Sequence, residues 1–237
     1  MNSKYITPAL TLALGIAFAA APAFAPEFRG YAAEQLPIAI ERHAVQPAAY
    51  AFSIWGVIFL WLLASAAFGL RARADHPAWR ATHPALMAAM ALGTLWLFLA
   101  ASNPLLASAA ILLMAACAII AFLRADAAQD RWILAAPLGI FAGWVSAASL
   151  VSFGIMLGGY GLVSHPTAAL IMVAVLIAAA LYVQSLRPMM PIYGATVVWA
   201  VIAVAVVNRS DQPLVALAAA FAALIMGAGT IWLRYRR

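Results

Sequence analysis

Uninterrupted apolar runs of about twenty residues, broken by short polar or proline-bearing stretches, recur along the whole chain. Eight such segments can be marked, at 6–25, 47–70, 84–101, 104–123, 133–157, 166–184, 191–207 and 213–233. The second, PAAYAFSIWGVIFLWLLASAAFGL, carries no charge. As an α-helix it would be about 36 Å long, enough to cross a hydrocarbon layer of about 30 Å with some tilt. Within it Phe52, Trp55 and Phe59 fall on one helical face, with Gly56 leaving a gap beside Trp55, and that face is expected to point into protein. Most segments open on proline, which suits a first helical turn whose N–H groups lack intrahelical partners. Only Ser102 and Asn103 separate the third segment from the fourth, which predicts a tight antiparallel hairpin. The pattern thus predicts an all-α integral membrane protein with eight transmembrane helices.

Composition agrees: 68% of residues are hydrophobic and 8% charged, far from a soluble domain's balance. A formal charge of +6 would suggest nucleic acid in a soluble protein. Here the basic residues sit in short loops between apolar runs, which makes them topology signals and contacts for anionic lipid. Alternate loops place Lys4, Arg71, Arg73, Arg80, Arg124, Arg131, Arg187, Arg234, Arg236 and Arg237 on one side and only Arg29, Arg42 and Arg209 on the other. By the positive-inside rule both termini are cytoplasmic, and the lopsided split supports the parse into eight. The first segment has two readings: a retained helix, or a signal peptide cleaved after Ala23-Phe24-Ala25, against which Pro26 at the cut would count. The long loop that follows, 26–46, holds Glu27, Glu34 and Glu41, and its middle, YAAEQLPIAI, is weakly amphipathic; it reads either as an ordinary solvated loop or as a lid over a pocket.

All seven carboxylates and all thirteen basic residues are expected in loops, which disfavours proton-coupled or ion-driven transport. Of the four histidines, His43, His76, His83 and His165, no two share the i, i+4 spacing of a zinc helix, and all four read as hydrated loop residues, His43 or His165 being the alternative axial ligands to a haem. The single cysteine, Cys117, excludes an intramolecular disulfide. Asn208-Arg209-Ser210 matches a glycosylation sequon too close to the membrane to carry weight. The tryptophans are more informative. Trp132 and Trp232 fall at segment ends, where interfacial rings belong, whereas Trp55, Trp61, Trp96, Trp144 and Trp199 lie deeper. A deep indole needs a partner for its N–H and offers a flat stacking face, so it serves either helix packing or a ligand. The fifth segment adds small-residue pairs Gly139/Gly143 and Gly154/Gly158 for close helix approach, and a hydroxyl stripe of Ser146, Ser149 and Ser152. That stripe either bonds its own helix or forms a polar pocket wall.

PAAYAFSIWGVIFL resembles the P-x-G-[WY]-x-F-x-x-W-x-x-[IL]-Y signature of the second helix in the TspO/MBR family of tryptophan-rich sensory proteins. GWVSAASLVS resembles that family's fifth-helix W-x-x-x-A-x-x-x-N, and YGATVVWAVIAVAVVN the late helix of its longer bacterial relatives. The resemblance implies a TspO-like five-helix unit over 1–157 and a three-helix extension over 158–237, in a bacterial inner membrane, often as a homodimer. It further implies a non-enzymatic sensor or carrier that binds a hydrophobic or tetrapyrrole-like molecule, porphyrin or haem being the candidate ligands; an uncoupled permease is the alternative. The ligand-binding residues it points to, with the hydroxyl stripe added, are Tyr50, Phe52, Trp55, Phe59, Trp96, Trp144, Ser149 and Ser152. Departures fall on the motif glycine (Ala49), its closing tyrosine (Phe59), and the asparagines of the third and fifth helices, here Gly93 and Ser152. Those changes remove polar pocket groups and weaken the case for a tetrapyrrole.

Overall fold

The computed structural model describes residues 3–26, 30–126 and 128–236, and statements of absence below refer to these. Glu27, Arg29 and Arg237, which figure in the loop and charge readings, lie outside them. The helices are α1 (Ile6–Phe24), α2 (Ile54–Ala72), α3 (Pro77–Arg80), α4 (His83–Ser102), α5 (Pro104–Arg124), α6 (Ala135–Gly159), α7 (His165–Leu186), α8 (Ile192–Asn208) and α9 (Pro213–Tyr235). Seven spans are long and apolar enough to cross a membrane, α3 being joined to α4 in one of them, and α8 is a shorter apolar helix of 17 residues. At about 25 Å it falls just short of the hydrocarbon thickness. Buried amides of neighbouring elements meet it at both ends. Gln184 Oε1 accepts from the Gly194 N–H, and Asn208 Nδ2 donates to the Ala44 carbonyl.

Where prolines precede apolar runs the helices do start: Pro84, Pro104, Pro166 and Pro213 occupy the first turns of α4, α5, α7 and α9. Asn103 caps α5 by accepting from the Leu106 N–H, closing the predicted α4–α5 hairpin. The second segment differs from expectation, since residues Ala49–Ser53 form a 3-10 turn before α2 begins. Arg71, Arg124 and Arg234 also depart from it. They lie in the last turns of α2, α5 and α9, where a cation complements the carbonyl end of the helix and can reach out of the apolar layer.

The helix everything else packs around is α6, which touches α2, α5, α7 and α8 and has 20 of its 25 residues buried. Its glycines are the points of closest approach: a Cβ on Gly143 would stand 2.7 Å from the Tyr193 carbonyl oxygen of α8. Helices α1, α2, α6, α5 and α4 close a ring through α6, while α7 and α8 also pack on α6 and α9 packs on α7 and α8. One apolar core runs from Phe18 to Met226 and so passes through both groups.

The basic residues gather at one end. Lys4, Arg71, Arg73 and His76 surround a common depression, Arg73 clamps Asp130 (Nε to Oδ2, 2.7 Å), and the Arg187 guanidinium donates to the Leu123 carbonyl. Trp79 donates to the same Asp130 carboxylate at 2.9 Å, and the Arg73 bond, helped by this one, holds the carboxyl pKa below the ordinary carboxylate range. At this end His83 is not the hydrated loop residue expected from sequence; it opens α4, buried, with Nδ1 2.9 Å from Thr11 Oγ1.

Candidate functional site

A cavity of about 700 Å³ lies against α6 toward the end opposite the basic cluster. Trp144, Ala148, Val151 and Ile155 repeat along one face of α6 and form its floor. Phe52, Trp96 and Ile111 bound it from the N-terminal ring of helices. The opposite wall is aliphatic and comes from Val173 and Leu176 of α7 with Ala200, Val201 and Val204 of α8. Glu41 and Arg42, the charged residues among its lining, belong to the loop at the mouth. Arg42 is engaged there, with Nη2 2.8 Å from Asp211 Oδ2 and Nη1 donating to Asn208 Oδ1 at 3.4 Å.

The loop between α1 and α2 folds over this end. Leu36, Ala44 and Val45 are buried against Ile155, Met156, Ala169 and Val204, forming a second small core. Its backbone is pinned by Ile38 N–H to the Gly159 carbonyl and Ala48 N–H to the Ala203 carbonyl. Tyr31 reaches in from the loop, its hydroxyl 2.8 Å from Ser152 Oγ, which is 2.7 Å from Ser108 Oγ. Of the two sequence readings of this segment, the lid is the one the packing matches. His43 corrects another expectation. It is 3% exposed rather than hydrated, its ring centroid lies 6.4 Å from that of His165, and neither ring nitrogen has a hydrogen-bond partner. Burial, with a smaller contribution from His165, lowers its pKa to about 4. Among the described residues, no group of three or more His, Cys, Asp or Glu side chains could hold a metal ion.

The residues singled out from sequence divide into two sets. Phe52, Trp96, Trp144 and Ser152 line the cavity. Trp55 and Phe59 stack on each other at 5.2 Å beside it, with Phe18 edge-on to both, and Trp55 meets Trp144 edge to face at 6.2 Å. Tyr50 packs on Trp199 at the protein surface, and Ser149 turns back to donate to the Ser146 carbonyl. The hydroxyl stripe therefore contributes Ser152 to the cavity, while Ser146 donates to its own helix and accepts from Tyr193. Gly93, where the family motif has asparagine, leaves room for the Phe18 ring, which would collide with any Cβ there.

Two groups escaped the sequence reading. The wall from α7 and α8 has no polar side chain to mark it, and the late-helix resemblance over residues 193–208 does not assign its aliphatic residues to a pocket. The sequence marks Trp144 as a ring but not the state of its N–H, which lacks a hydrogen-bond partner among the described residues, whereas Trp61, Trp96 and Trp199 each donate to a backbone carbonyl.

A bundle of apolar helices enclosing a partly aromatic hollow, with charge only at its mouth, is a multi-pass membrane protein. The chain belongs to the TSPO-like protein family, whose model matches residues 9–232. That match covers both groups of helices. No curated protein and no solved structure matches the chain.

Proposed function

We propose that this protein binds a hydrophobic small molecule, tetrapyrrole-like or otherwise, in the cavity beside α6, and works as a sensor or carrier in a bacterial inner membrane with its basic end in the cytoplasm. The observation that carries the reading is the cavity itself, about 700 Å³ with the rings of Phe52, Trp96 and Trp144 on its lining. Its depth offers a ligand stacking faces and hydroxyls and holds no acid or base, so a non-catalytic role fits it. Passage through the protein fits less well, because buried Phe122, Leu134, Leu138, Phe141 and Tyr193 fill the interior toward the basic end.

Titrating purified protein with protoporphyrin, and separately with an uncharged apolar fluorophore, tests this. Saturable quenching of tryptophan emission is expected for at least one probe, with binding weakened several-fold in Trp144→Phe. Only linear, non-saturable quenching with both would overturn the reading. Liposome uptake of the bound probe separates carriage across the membrane from binding alone.

A further inference from the structure

The cavity has two unlike walls, and the aliphatic one belongs wholly to helices outside the N-terminal ring. On α8, Ala200, Val201 and Val204 fall on one face; on α7, Val173 and Leu176 sit one turn apart. All five are buried. Valine is stiff at χ1, so most of this wall is rigid, beside the more adaptable Met172 of α7, which also lines the cavity. Ala200 is its smallest member. Facing it are the rings of Trp96 and Trp144. A rigid aliphatic surface opposite indole rings suits a flat polycyclic body. Charge is confined to the mouth, where Arg42 already serves Asp211 and Asn208, so an ionised group carried into the slot would find no counter-charge. The polar side chains of the lining include Tyr31 and Ser152, whose hydroxyls lie near the loop, together with Gln46 and the Trp144 indole.

We propose that the site is composite and selective: it takes an uncharged, flat polycyclic molecule lying between the indoles and the α7–α8 wall, with Ala200 setting how bulky that molecule can be. This rests on the binding reading above and goes beyond it in assigning selectivity to the C-terminal helices and in excluding anionic ligands.

The test uses pyrenemethanol and pyrenebutanoate, a neutral and an anionic probe with one flat body, on the full-length protein in nanodiscs. Tryptophan-to-pyrene energy transfer that unlabelled excess competes away measures specific binding. Wild type is expected to hold the alcohol and to bind the carboxylate at least about tenfold more weakly. Ala200→Leu should weaken the alcohol, and Ala200→Phe should weaken it by about tenfold or more, the scale of overfilling a packed site. Val206→Phe places the same phenyl ring on the exposed side of α8 and should change nothing. Equal binding of the alcohol by wild type and both Ala200 variants overturns the selective wall and leaves the binding reading standing; so does equal loss in Val206→Phe. Equal affinity for the carboxylate overturns the uncharged class. Should Ala200→Phe fail to fold, Ala200→Leu decides. Competable transfer from neither probe removes the inference. If protoporphyrin also fails to give saturable quenching, the binding reading falls with it.

Discussion

A serine hydroxyl has one proton to give, and that fixes the direction of the bonds at the polar corner of the cavity. Ser108 donates to the Pro104 carbonyl at 2.8 Å, so the proton between the two serines comes from Ser152. Ser152 then accepts from Tyr31, making a one-way chain from the lid to the helix core. Ser152→Ala would remove the Tyr31–Ser152 bond and the Ser152–Ser108 bond at once. A loss of about 1–3 kcal/mol is expected, read as a lowered thermal midpoint together with faster proteolysis in the loop. An unchanged midpoint would mean that the chain contributes nothing. Residue types alone made Ser152 a candidate, but they did not distinguish it from Ser149, which faces away from the cavity. That distinction depends on α5 and the loop, whose positions no local pattern encodes.

At the scale of elements, what was legible in the sequence followed from the solvent. Lipid demands about twenty apolar residues per crossing, so the helices announced themselves in hydropathy, with the shorter α8 still visible as an uncharged run. The loop between α1 and α2 did not. Leu36, Ala44 and Val45 pack with no regular period, and the burial of His43 comes from contacts with α6 and α7. Its imidazole supplies a pH test. The folded pKa, near 4, lies below the ordinary value of 6.5, so the unfolded chain takes up the proton first. The contribution to stability is complete above about 6.5 and is lost as pH falls toward about 4, by on the order of 3 kcal/mol. His165 and Arg42 are the titratable or charged groups nearby, and a charged neighbour adds to the penalty on a second positive charge. Thermal midpoints across that window should fall in wild type and fall distinctly less in His43→Gln. Parallel curves would sink the assignment.

For the molecule as a whole, the sequence split of basic residues corresponds to a real end of the structure, where α1, α2, α3 and the α5–α6 loop meet. The cavity draws lining both from helices of the first 157 residues and from α7 and α8 beyond them. The aromatic signature includes three rings, Phe52, Trp96 and Trp144, that line one cavity. It could not show that Trp55 would spend its face on Phe59 and Phe18, since that pairing is settled by where α1 lies. The near-total enclosure of α6 has a further consequence, for synthesis at the ribosome. Until α7 and α8 emerge, its serines and glycines have only lipid beside them on that flank, so the half-made chain is an unfinished object rather than a smaller protein. A product stopped after Gly159 should be cleared by membrane proteases well before the full-length chain, as a pulse-chase would show; equal lifetimes would mean that the first five spans mature without waiting for the rest.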